Sequence, residues 1–279
     1  MRDLKNRVAA VTGAASGIGR SLAIHLSNEG CHVAMADINR DGLNETRSLI
    51  ENKGVKISCH LVDIGQRDRI IQWLEDVLKE HGQVDLLFNN AGVGLGGLLE
   101  EVSIDEFKWL MDINFWGVVN GSMIFLPELK KRPEAYIVNI SSVHGLFTNP
   151  GVGPYCSSKF AIRGFTLTLA QELKDTAVKV ACVHPGGIYT NIARNARVAV
   201  AATEAIDREE AQREFDRTIA RTTADKAARI ILRGVKKNKT RILVGPDAYV
   251  FDFCSRLAPV TWQKIMAWIF RRKEESGAK

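Results

Sequence analysis

Tyr155 and Lys159 stand four residues apart in Tyr155–Lys174, a stretch whose pattern predicts a helix. That spacing puts both side chains on one helical face. A free tyrosine titrates near pH ~10, too high for a base at neutrality. A lysine ammonium about 4 Å away contributes up to ~4 kcal/mol at an effective dielectric of about 20. That corresponds to about three pKa units, before desolvation takes part of it back. A phenol placed so can remove a proton from an alcohol or give one to a carbonyl oxygen.

A second constellation is Thr12-Gly13-Ala14-Ala15-Ser16-Gly17-Ile18-Gly19, between a strand and a helix. The small residues Gly13, Ser16, Gly17 and Gly19, with Ile18, let backbone approach a pyrophosphate, and the helix N-terminus offers unpaired N–H groups to its charge. An isolated glycine turn is weak support; the strand–turn–helix context strengthens it. Asp37 closes the next strand, 18 residues after Gly19, where a ribose-binding acid is expected. Its carboxylate would repel a 2′-phosphate of about −2 charge. NAD is therefore expected over NADP, which stays the alternative because Arg40 is near. Arg40 itself reads as a solvated residue of a first helical turn.

The elements that must hold these residues alternate. Strands are expected at Arg7–Thr12, His32–Asp37, Val55–Asp63, Val84–Asn89, Tyr136–Ser141, Lys179–His184 and Arg241–Val244. Helices are expected at Gly17–Glu29, Arg40–Asn52, Arg67–His81, through Trp109 and Phe125, at Tyr155–Lys174 and at Ala224–Lys237. This alternation predicts an α/β fold: one doubly wound, Rossmann-type parallel sheet with helices on both faces. Ligands in such sheets bind beyond the carboxyl ends of the strands, so functional residues should sit just after strands.

At this point the chain resembles the short-chain dehydrogenase/reductase family, over roughly residues 5–250. The TGxxxGxG loop, Asn89-Asn90-Ala91-Gly92 after the fourth strand, and Pro185-Gly186 with Thr190 after the sixth match its motifs. Asn114, Ser142, Tyr155 and Lys159 match its catalytic set. The resemblance implies a nicotinamide-dependent oxidoreductase acting on an alcohol/carbonyl pair. Ser142, 13 residues before Tyr155, would hold the substrate oxygen, with Ser141 the adjacent alternative. Asn114 would anchor a water leading from Lys159 to solvent; its plainer reading is a polar residue kinking a long helix. Asp63 and Ile64 would flank adenine, Asn90 and Gly92 would border the adenosine ribose, and Ile188 and Thr190 would contact the nicotinamide carboxamide. Asn89 is expected to stabilise the sheet. The family usually pairs subunits, so a homodimer or homotetramer is expected. A catalytically silent dinucleotide-binding regulator is the rival outside enzymes, against which the intact Ser142, Tyr155 and Lys159 speak.

His144 either faces the substrate or is a polar loop residue, with the loop reading favoured. Cys156 and His184 are expected to pack rather than react, and no His, Cys and carboxylate cluster has metal-ligand spacing. The polar stretch 191–223, with its charged run Arg208–Arg217, resembles a substrate flap within a domain spanning 1–250. Residues 251–279 form an extension. There Trp262, Ile265, Met266 and Ile269 fall on one apolar stripe, widened by Trp268 and Phe270 and followed by Arg271-Arg272-Lys273. Packing over the substrate entrance or another subunit, peripheral membrane contact through 258–273 with a lipophilic alcohol or ketone as substrate, and a tail without a role all stay open.

With 279 residues, 46% hydrophobic and 25% charged, the chain has the composition of a globular protein with a sizeable core. The net charge of +6 is dispersed. Its densest cluster, Lys236, Lys237 and Lys239, reads as a solvated helix end, and no aromatic residues interleave as a nucleic-acid surface would need. Five cysteines without CxxC spacing, and a polar Met1–Arg7 segment, lead to the expectation of a reducing, cytoplasmic setting.

Overall fold

The computed structural model describes residues 1, 3–192, 194–199, 213, 217 and 220–277, with the side chains of 270, 271 and 273–277 left aside. Its centre is a sheet of seven parallel strands: β1 (Val8–Thr12), β2 (His32–Asp37), β3 (Ile57–Leu61), β4 (Leu86–Asn89), β6 (Ala135–Ile140), β7 (Val178–Pro185) and β11 (Arg241–Val244). The spatial order is β11-β7-β6-β4-β1-β2-β3. The seven expected strands are these seven, and the fold is the expected Rossmann-type single domain. Short pairs add β5 (Leu95–Gly96) to β9 (Arg197–Val198) and β8 (Ile188–Tyr189) to β10 (Thr222–Thr223).

Why these runs form a two-faced sheet shows in their side chains. Along β1, Ala9 and Val11 enter one core while Val8 and Ala10 enter the other. Strand β6 divides likewise, with Tyr136 and Val138 on one face and Ala135 and Ile137 on the other. Side chains alternate with period two, so a strand covered on both faces must be apolar throughout. Helices α1 (Gly17–Asn28), α2 (Arg40–Ser48) and α7 (Ala224–Lys236) contribute to the first core; α3 (Arg67–His81), α5 (Gly117–Lys130) and α6 (Gly153–Glu172) to the second.

The helix expected through Trp109 and Phe125 is interrupted. It runs as α4 (Ile104–Met111), one π-helical turn at Asp112–Trp116, then α5. The helix expected over Arg40–Asn52 stops at Ser48, and a 3-10 turn (Glu51–Lys53) carries the chain to Gly54 at φ +70°. After β11 come α8 (Pro246–Leu257) and α9 (Pro259–Gly277). Strand order reverses between β1 and β4, and the crevice at such a switch point is where ligands bind in sheets of this kind.

Candidate active site

Loops at the carboxyl ends of β1, β2, β4, β6 and β7 converge on that crevice. Gly13 and Gly17 take φ +67° and +54°, the left-handed region that favours glycine. A Cβ at Gly19 would overlap the Gly13 carbonyl oxygen, and one at Gly13 would come within 2.9 Å of Ala91 Cα. Side chains are thus excluded, and backbone is laid open. Ser16 precedes α1 without a side-chain capping bond, leaving first-turn N–H groups to an anion. The cradle fits a pyrophosphate.

The loop is held by residues whose side chains are used on it. Thr12 Oγ1 accepts from the Asn90 and Ala91 nitrogens at 2.9 and 3.0 Å, and Asn90 Nδ2 donates to the Thr12 carbonyl at 2.9 Å. Asn90 therefore spends its amide on the glycine loop. Asp37 Oδ2 accepts from Ala15 N at 3.0 Å, so this carboxylate sits at the loop's edge. Arg20, which the sequence reading did not single out, donates to the Ala15 carbonyl, and to Glu45 at 2.7 Å. Arg40 is exposed in the first turn of α2. Asp63 Oδ1 accepts from Gly65 N at 2.9 Å, and Ile64 is buried beside Gly117. Asn89 donates to Asn139 on the neighbouring strand β6 at 2.8 Å and to Ser122 on the covering helix α5 at 3.1 Å.

Ser142, Tyr155 and Lys159 come together. Ser142 stands beside the Tyr155 phenol, close enough to lower its pKa, and Lys159 Nζ lies 5.4 Å from the Tyr155 ring centre. Lys159 is 4% exposed and donates to the Ile140 carbonyl at 3.1 Å. Gly92 borders it: a Cβ there would come 3.5 Å from Lys159 Nζ and 3.2 Å from Asn114 Oδ1. Ser141, the alternative serine, is committed to the Lys159 carbonyl at 2.9 Å. Asn114 sits in the π-helical turn, fully buried. It accepts from Val93 N at 2.8 Å and donates to the Val93 carbonyl at 2.9 Å.

The electrostatics depart from the expectation that Lys159 brings the phenol down. Burial pushes Tyr155 up to about 12, and the Ser142 hydroxyl only partly opposes it. Burial also pulls Lys159 down to about 8. Its charge is weakened by the same enclosure, and its amine is turned to a carbonyl. Desolvation outweighs the Coulombic attraction that helical spacing alone suggested.

His144 is closer to this centre than a loop residue need be. Its ring meets Tyr155 edge-on at 5.9 Å and Phe147 at 5.2 Å. Burial lowers it to about 4, leaving a neutral imidazole at pH 7. Cys156 is buried, with its Sγ 3.7 Å from His144 Nδ1. His184, also held down to about 4 by burial, places Nδ1 3.0 Å from the Ser142 carbonyl and braces that turn.

Pro185 ends β7, and Gly186, Ile188 of β8 and Thr190 follow it. Pro185 and Ile188 are buried, and a Cβ at Gly17 would come 3.1 Å from Thr190 Cγ2, so Thr190 reaches the glycine loop. Asp247, in the first turn of α8, accepts from Gly187 N at 2.6 Å; no sequence signal marked it. The expected flap of 191–223 is described only at its ends, and most of Arg208–Arg217 lies outside the described residues. The expected stripe on α9 divides. Trp262 and Met266 turn inward onto the cluster of Phe147 and Phe251, while Ile265, Trp268 and Ile269 are exposed. Phe270 lies outside the described side chains. Packing against the core decides this split, because residues 262 and 266 share a narrower face than the full stripe.

This fold and the order of its motifs define a short-chain dehydrogenase, and the family model described as short chain dehydrogenase matches residues 7–201. The chain belongs to the short-chain dehydrogenase/reductase family of oxidoreductases. Among its relatives is SadH of Mycobacterium tuberculosis, an oxidoreductase by name, 38% identical over 269 residues and covering 96% of each chain. The 3-ketodihydrosphingosine reductase of Bacteroides thetaiotaomicron is 35% identical over 196 residues, 70% of this chain and 69% of that one. A short-chain dehydrogenase/reductase from Burkholderia phymatum, crystallised with NAD, superposes with a TM-score of 0.83 at 28% identity. That match covers 92% of this chain and 95% of the other.

Proposed function

We propose that this chain transfers a hydride reversibly between NAD(H) and an alcohol/carbonyl pair, with Tyr155 as general acid and base. The meeting of Ser142, Tyr155 and the buried Lys159 amine, whose Nζ lies 5.4 Å from the Tyr155 ring centre, carries the reading. The bound nicotinamide ring would supply or accept the hydride and, when oxidised, would add a positive charge. Gly13, Ser16, Gly17, Ile18 and Gly19 would hold the pyrophosphate, and Asp37 the adenosine ribose. Asp63, Ile64, Asn90, Ala91 and Gly92 would line the adenosine half; Pro185, Gly186, Ile188 and Thr190 the nicotinamide half. The Ser142 hydroxyl would fix the substrate oxygen within reach of Tyr155. With its phenol held high, Tyr155 is protonated at neutral pH, the form that donates to a carbonyl oxygen. As the base for alcohol oxidation it needs Lys159 charged. Asn114 holds the 90–93 turn against α6 and would anchor the family's water toward Lys159.

Asp37 supports NAD over NADP, and NAD is bound in the Burkholderia phymatum structure. A lipophilic substrate is supported by the wall of Phe147, Phe251 and Trp262 beside the Ser142 turn, with Phe147 and Phe251 centred 4.6 Å apart. It also fits the name of the ketodihydrosphingosine reductase relative. The exposed Trp116, Met123, Phe160 and Leu167 on or beside α5 and on α6 support self-association there.

The test is nicotinamide absorbance with NADH and NADPH across long-chain ketones and 3-oxoacyl thioesters, and with the oxidised cofactors across secondary alcohols. The expected result is NADH-linked turnover that improves with chain length. A strong NADPH preference would overturn the cofactor choice. A folded protein that binds NADH but turns over none of these would point to the regulator instead.

A further inference from the structure

We propose that the solvent face of α8, with the basic groove beside it, docks on the surface of an anionic lipid bilayer. The helix is two-sided. Ala248 and Phe251 face the core, while Tyr249, Val250, Phe253 and Leu257 are between 56 and 73% exposed. Their spacing of i, i+1, i+4 and i+8 gathers them into one arc of the helix. Isolated exposed apolar side chains need no explanation, but four large ones in one strip mark a contact surface.

The charge beside that strip names the partner. A groove of about 530 Å³ between α7, β11 and the start of α8 is lined by Lys226, Arg233, Lys237, Lys239 and Arg241. Tyr249 belongs to both the groove and the apolar strip. Arg241 is engaged by Asp252, which leaves four exposed cations around the groove. No acidic side chain lines it among the described residues.

A second copy of the chain is a poor occupant. A two-fold contact would use the same patch of both copies, which brings cations and, among the described residues, no acidic lining residue to pair with them. An anionic bilayer satisfies both halves of the surface: phosphates meet the cations, and the apolar strip enters the headgroup boundary. Helix α9 extends the pattern with exposed Val260, Ile265, Trp268 and Ile269, and the Arg272 guanidinium lies 4.2 Å over the Trp268 ring. Among the described residues no helix is long and apolar enough to cross a membrane, so the contact lies in the surface plane. The sequence pattern directed attention to 258–273; Trp262 and Met266 turn inward, which gives α8 the leading part. The proposal stands independently of the catalytic reading.

Co-sedimentation of the full chain with vesicles tests it. Phosphatidylcholine vesicles with phosphatidylglycerol should pellet the protein, and phosphatidylcholine alone should retain much less. Binding should fall sharply in about 1 M salt, where the screening length is only about 3 Å. Phe253→Ser with Leu257→Ser should weaken it at least about tenfold, because two large side chains lose their apolar burial. Lys237→Glu should weaken it about fivefold or more. Both sites are exposed, so circular dichroism and Tm should stay unchanged. A full chain left in the supernatant with anionic vesicles overturns the proposal, as does equal binding by the variants. Loss of a dimer in sedimentation velocity, without vesicle binding, would assign the face to self-association and overturn it too.

Discussion

Asp247 Oδ2 accepts a hydrogen bond from the backbone nitrogen of Gly187 at 2.6 Å, across 60 residues of chain. It ties the first turn of α8 to the loop after β7. A Cβ on Gly186 would run into the same carboxylate, and one on Gly245 would come 2.5 Å from Asp247 Oδ1. Asp247 Oδ1 and the Thr222 hydroxyl are buried without a hydrogen-bond partner among the described residues. Thr222 sits in β10, the strand that pairs with Ile188 in β8. Helix α8 thereby braces the segment carrying Ile188 and Thr190.

Replacing Asp247 with Ala should raise the KM for NADH about tenfold, since a hydrogen bond to a charged group contributes about 1.5–3 kcal/mol. Asp247→Asn keeps an acceptor oxygen and should lose less. Cofactor titration of both variants separates the outcomes; equal loss in both would mean that the charge, not the bond to Gly187, matters.

Asp37→Asn should keep an acceptor for Ala15 N while removing the charge facing a 2′-phosphate. The NADPH-to-NADH ratio of kcat/KM should rise at least about tenfold, the scale of one charge pair near a surface. An unchanged ratio would place the cofactor discrimination elsewhere.

Gly19→Ala should abolish cofactor binding or the fold itself, because its Cβ meets the Gly13 carbonyl and lies 2.7 Å from Asn90 Nδ2. Gly54→Ala, at φ +70° with open space around it, should cost only about 1 kcal/mol of backbone strain. Thermal melts with and without NADH measure both.

His144 and His184 are both held down to about 4 by burial, below the ordinary value near about 6.5. Between those values the unfolded chain binds the extra protons. Stability is therefore fully present above about pH 6.5 and is lost as pH falls toward 4. Tm should drop steeply across this window. His184→Asn, which retains a donor for the Ser142 carbonyl, should flatten the drop; an equally steep profile would show that other groups dominate it.

Much of this was legible in the chain. Strands covered on both faces must be apolar throughout, so β1, β6 and β7 announce themselves; Gly13, Asn90 and Ser142 fall just after strands, and Asp37 and Pro185 end theirs. Asp247 was not legible, because its partner is 60 residues away and the contact exists only after β7 and β11 pair. An irregularity at Asn114 was legible as a polar residue kinking a long helix, but its form as a π-helical turn was not, because it goes with the amide's two bonds to Val93, a tertiary contact. The raised phenol of Tyr155 follows from enclosure by neighbouring elements, which a four-residue spacing does not report. The division of the α9 stripe likewise depends on Phe147 and Phe251, which only the fold brings beneath Trp262.

The central claim is that the Tyr155 hydroxyl moves the substrate proton. Tyr155→Phe removes one oxygen from a site whose glycine cradle, Asp37 and Lys159 remain. The direct measurement is steady-state turnover of a ketone with NADH, beside NADH affinity by fluorescence titration. Loss of at least about a hundredfold in kcat, the low end of general acid–base catalysis, with affinity retained, is the expected result. Turnover unchanged in a variant that binds NADH normally would contradict the account.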